Sequence, residues 1–122
     1  MNIRIDQQGQ SKVAVIESTE IVINGVQDAL DLMATVNYTD ECSKLVLHKS
    51  SITEDFFDLS TKLAGEILQK YVNYQVKLAI IGDFSGYTSK SLKDFIYECN
   101  NGTQVFFLQD ESTALQTLHA LN

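Results

Sequence analysis

The stretch Val76-Lys77-Leu78-Ala79-Ile80-Ile81-Gly82-Asp83-Phe84 constrains the fold more than any other. Five of its first six residues are apolar, and the run closes on Gly-Asp. An apolar run that short and continuous, ended by a turn signal, reads as a strand buried on both faces. Strands of that kind lie inside a parallel or mixed sheet with helices over it. The segments on either side carry apolar residues at helical spacing, so they can supply the covers.

The remaining chain reads as elements around that strand. Met1 to Glu17 is a hairpin, with Ile3, Ile5, Val13 and Val15 on alternating positions and a turn at Gln7-Gln8-Gly9-Gln10-Ser11. Ile21-Val22-Ile23 adds a short extended piece. Asn24 reads as the cap of a helix, with Gln27 able to bond back, and Val26, Ala29, Leu30, Met33 and Ala34 as its inner face. Asn37 to Ser43 reads as a polar loop, and Lys44-Leu45-Val46-Leu47-His48 as a second buried strand. Thr53 reads as the cap of the longest helix, with Glu54 and Asp55 in its first turn. Ser89 caps another helix, with Leu92, Phe95, Ile96 and Cys99 inward and a stop at Asn101-Gly102. Val105 to Leu108 is the last strand. Asp110 caps a final helix with Ala114, Leu115, Leu118 and Leu121 inward.

This order predicts a single α/β domain over residues 1–122. Its mixed sheet has four to five strands, an N-terminal hairpin followed by alternating strands and helices. The alternation requires right-handed crossovers and parallel pairing.

Charge removes several function classes. Sixteen acids against nine bases give a net charge of -7. A nucleic-acid binder needs a basic face to displace counterions, and an anionic membrane surface needs the same. No apolar run approaches the roughly 20 residues of a membrane span. The N-terminus lacks the apolar core of a signal peptide, so a cytoplasmic protein is expected. Cys42 and Cys99 form no CxxC pair and read as free thiols, Cys99 as core filling. With only His48 and His119, no metal site is expected, and no cofactor. His119 reads as a surface or dipole-facing residue near the end of its helix.

No catalytic residue is assigned. Open α/β sheets bind ligands beyond the C-terminal ends of their strands. That edge would gather His48, Lys49, Ser50, Ser51, Asp83, Ser85, Tyr87, Lys90 and Asp110, a set suited to a small polar or anionic ligand or to a docking partner. As a base, His48 would need Ser50 or Asp83 in reach; otherwise it is a half-buried histidine bonded to backbone. Gly82-Asp83-Phe84-Ser85-Gly86 has too little glycine for a phosphate loop, no lysine at the set place and no helix starting at once. In the longest predicted helix, Phe56, Leu63, Ile67 and Tyr71 form one apolar stripe, and Phe57, Ala64, Leu68 and Val72 a second. One sheet covers about a 100° arc, so Phe57, Thr61, Gly65, Leu68 and Val72 are left as a surplus. An interior glycine costs about 1 kcal/mol against alanine, so Gly65 points to close approach, either by the domain's own sheet or by a second copy in a homodimer.

The layout, with Val76 to Asp83, Val105-Phe106-Phe107 and a short helix opened by Asp110-Glu111, resembles the STAS fold of anti-sigma-factor antagonists and their SpoIIAA-like relatives. A closer resemblance, over nearly the whole chain, is to the bacterial domain of unknown function 4180 family. It is carried by Glu20-Ile21-Val22-Ile23-Asn24, Phe56-Phe57-Asp58-Leu59, Ala64-Gly65-Glu66-Ile67-Leu68-Gln69-Lys70 and Tyr87 to Ile96. STAS antagonists carry a phosphorylated serine, preceded by Asp, where this chain has Ser50-Ser51-Ile52-Thr53-Glu54-Asp55. No Asp precedes a Ser here, and Ser50, Ser51 and Thr53 are the hydroxyls a phosphate could join. The resemblance implies a non-enzymatic regulatory or protein-binding module. The alternatives are a small-ligand protein, lipid-like by analogy with the SpoIIAA-like relatives, and an enzyme with its site at the strand ends.

Overall fold

The computed structural model describes residues 1–121. Strands β1 (Asn2–Gln8) and β2 (Ser11–Glu17) form the expected hairpin, with Gln8 opposite Ser11 and Gly9 at φ 60° in the turn. Helix α1 (Val26–Asp40), strand β3 (Lys44–His48), helix α2 (Leu63–Asn73), strand β4 (Lys77–Ile81), helix α3 (Lys90–Asn100), strand β5 (Val105–Leu108) and helix α4 (Glu111–His119) follow. The sheet runs β1-β2-β3-β4-β5 in chain order. Only the hairpin is antiparallel; β2 to β5 are parallel. The fold class read from the sequence is therefore the fold observed.

The doubly buried apolar run is β4, and it holds the centre of the parallel part. Leu78, Ala79, Ile80 and Ile81 are all buried. Successive residues point to opposite faces, so two cores form. Leu78 and Ile80 join Leu45, Leu47 and Phe107 beneath α1, α2 and α3. Ala79 and Ile81 join Val13, Val15, Val46 and Phe106 beneath α4, through Ala114 and Leu118. One face thus carries three helices and the other a single nine-residue helix.

Several local expectations are corrected. Thr53 does not cap a long helix. The chain makes two 3-10 turns, Glu54–Phe57 and Leu59–Thr61, before α2 begins at Leu63, and α1 is the longest helix. Asp58 causes the break: its carboxylate accepts from the backbone N–H and the hydroxyl of Ser60. Such side-chain bonds compete with the helical ladder. Lys62 then takes a left-handed conformation, φ 66°, and directs the chain into α2. Phe57 and Gly65 accordingly lie on different elements, not on one helical stripe.

In α1 the cap position falls at Gly25, and the backbone N–H of Asn24 is held by the Asp28 carboxylate instead of by Gln27. The inner face is Ala29, Leu32, Met33 and Val36, with Ala34 exposed. The helix continues to Asp40, through most of the segment expected as a loop. Ile23 makes a parallel bridge to Ile52, which gives the short extended piece its partner.

Candidate functional site

The C-terminal edge brings together only part of the expected set. Lys49 leaves β3 and crosses Gly82, where a Cβ would stand 2.8 Å from the Lys49 Cβ; glycine is what permits the crossing. The ammonium donates to the Asp83 carbonyl at 3.1 Å and lies 4.5 Å from the Tyr87 ring centroid, a cation–π contact. Tyr87 stacks on Phe57 at 5.5 Å, and its hydroxyl donates to the Glu54 carboxylate at 3.0 Å. Burial, then the Glu54 contact, raises the Tyr87 phenol above its ordinary range. Asp83 accepts from the hydroxyl and the backbone N–H of Ser85, and these bonds lower its carboxyl. Lys49, Asp83, Ser85 and Tyr87 are therefore tied by hydrogen bonds within this cluster, together with Glu54.

The other expected residues stand apart. Lys90 pairs with Asp94 at 2.7 Å on exposed α3. Asp110 caps α4. His48 and Ser50 line a shallow cleft with Met1, Glu17 and Thr19. Of the three hydroxyls considered for phosphorylation, Ser50 is exposed, Thr53 is half-buried, and Ser51 is fully buried with its Oγ unpaired.

A second feature lies over the helical layer. Val26, Leu59 and Phe95 form the apolar part of an open groove of about 750 Å³, bordered by Lys62, Gly65, Glu66, Gln69 and Lys70. Gly65 is exposed, and a Cβ added to it would meet no atom within 4 Å. The domain's own sheet thus makes no close approach there. Phe57 and Leu68 are buried within the domain, whereas Thr61 and Val72 are exposed.

A third feature lies outside every expectation from the sequence. At the opposite, N-terminal edge of the parallel strands, His119 is not a surface residue: its side chain is 4% exposed. Its Nε2 lies 2.7 Å from Asp6 Oδ2, and its Nδ1 lies 2.7 Å from Ser11 Oγ. The buried Lys44 ammonium donates to the same Ser11 Oγ at 2.9 Å and to the Leu121 carbonyl at 2.9 Å. Burial lowers the Lys44 amine from its ordinary value. Ser11, Lys44, His119 and Leu121 line a polar cleft of about 510 Å³ with Gln8, Gln10, Glu41 and Cys42. The Cys42 thiol is engaged by the carbonyls of Lys12 and Lys44, and burial raises it, so it is no thiolate at neutral pH.

Among the described residues no helix is long and apolar enough to cross a membrane, and no three metal-ligating side chains gather. A family model described as a domain of unknown function, DUF4180, matches residues 8–118. The comparisons with curated proteins and with solved structures returned no match.

Proposed function

Because the chain belongs to the DUF4180 family, whose description carries no activity, we propose from its surface that it is a protein-binding module docking a second copy of itself through the groove over α2. The observation that carries this reading is Gly65. It is the third residue of α2, in the first turn, and glycine favours a helix less than alanine does. Nothing within the domain fills the space a side chain would take there. The groove beside it is apolar at Val26, Leu59 and Phe95, and exposed Val72 extends the apolar surface along α2. Its border carries both signs, Lys62 and Lys70 with Glu66, so it does not repel its own copy as the net charge of -7 would. Two-fold pairing is the commonest way for such a surface to be covered. The STAS-like layout expected from the sequence adds a regulatory role to the reading.

Sedimentation at micromolar concentration tests it. The parent chain is expected to run as a dimer. Gly65→Gln, a better helix former that fills the approach, is expected to run as a folded monomer. A parent that already sediments as a monomer overturns the self-docking reading, and so does a variant that stays dimeric.

A further inference from the structure

The polar chain at the N-terminal edge plays no part in self-docking, yet its order is that of a nucleophile with its base. We propose that Ser11 is the nucleophile of an acyl-transfer site acting on small polar carboxylic esters, with His119 as general base, Asp6 as positioning residue and Lys44 as the cation beside the reacting oxygen.

For a neutral imidazole, the form a general base must take, the hydrogen bonds run in one direction. Lys44 carries only donors and Asp6, ionised, only acceptors. Lys44 therefore donates to Ser11 Oγ, Ser11 donates to His119 Nδ1, and His119 Nε2–H donates to Asp6. That sequence fixes the imidazole tautomer and leaves Nδ1 as the acceptor of the serine proton, which is what activates a hydroxyl. A purely mechanical tie between α4 and the hairpin already exists in Arg4, whose guanidinium donates to both oxygens of Glu111. Burying an ammonium and an imidazole to repeat it would bring desolvation cost without new function. The cleft beside Ser11 is lined by Gln8, Gln10 and Lys12, groups suited to a polar acyl or alcohol portion.

The step balances with water as the second reactant. Ser11 Oγ bonds to the ester carbonyl carbon while its proton passes to His119 Nδ1. The carbonyl π pair moves onto the oxygen, where the third Lys44 N–H, not used by Ser11 or Leu121, can meet it. Collapse breaks the bond to the alcohol, which leaves with the proton from Nδ1. Water then adds to the acyl group on Ser11, giving its proton to Nδ1. The second collapse breaks the bond to Oγ, returns that proton to Ser11 and releases the acid.

The test treats the full chain with diisopropyl fluorophosphate, which phosphorylates an activated serine with release of fluoride, and follows p-nitrophenyl acetate cleavage alongside. One adduct is expected, mapped to Ser11, with both reactions abolished in Ser11→Ala. His119→Gln is expected to slow labelling by about 10²-fold or more. Asp6→Asn is expected to slow it and Asp6→Glu to restore part of the rate. Melting curves establish that each variant is folded. A folded parent with no adduct on Ser11 overturns the proposal, as does labelling equally fast in His119→Gln. Should that variant not fold, equal rates in the parent, Asp6→Asn and Asp6→Glu overturn it instead.

Discussion

Asp110 is a side chain whose role is legible from its sequence neighbours alone. An Asp ahead of an apolar helical pattern reads as a cap, and its carboxylate accepts the Thr113 backbone N–H at 2.8 Å. Hydrogen bonding by Thr113 holds the carboxyl below the usual range. The folded value is then lower than the unfolded one. Its stabilisation is fully present above the unfolded value of about 3.9 and is lost as pH falls through the folded one. Asp110→Ala is expected to melt below the parent at pH 7, with the gap narrowing as acid titrates the carboxyl; thermal melts over a pH series from 7 downward check this, and an unchanged gap refutes it. The Asp6–His119–Ser11 chain is illegible for the opposite reason. His119 stands 108 residues from Ser11 and 113 from Asp6, and neither hairpin position marks itself as polar machinery. Gly82 reads as a turn, but its role in letting Lys49 pass depends on a contact between two strand ends.

Among the elements, β4 is the most legible because burial on both faces demands apolar residues at every position. Ile80→Asp places an unpaired carboxylate where the parent side chain is 0% exposed. It is expected to cost several kcal/mol and leave little soluble protein, read by expression yield and circular dichroism. A variant that melts like the parent would remove β4 from the core. The segment from Thr53 to Thr61 misleads because its aromatic spacing suits a helix as well as it suits two short turns. Phe56 and Phe57 are buried in either case. What decides is Asp58 bonding to Ser60, and Thr61 donating to the carbonyls of Asp55 and Asp58, which draws those groups out of a helical ladder. In α1, Leu32 and Val36 take the inner face in place of Ala34, a rotation that small alanines leave undetermined until neighbours are in place.

Across the whole molecule, neighbours in sequence are neighbours in the sheet, so each crossover needs only local signals to be read. The exception is α4, which reaches back over β2, β3 and β4 and ties to the hairpin through Arg4–Glu111 and Asp6–His119. Alternation predicts that helix but not which face it takes. Leu118, 0% exposed, anchors it. Leu118→Ala is expected to cost about 2–5 kcal/mol in denaturant melts and to speed amide exchange in α4 first; unchanged stability would mean that α4 is not what seals that face. A ribosome delivers α4 after every strand, at roughly 5–20 residues per second. Until it arrives, the nascent sheet presents Val13, Val15, Val46, Ala79, Ile81 and Phe106 uncovered. The nascent sheet is therefore stickiest until α4 has been made and docked, and a product truncated before Glu111 is the form a chaperone would hold.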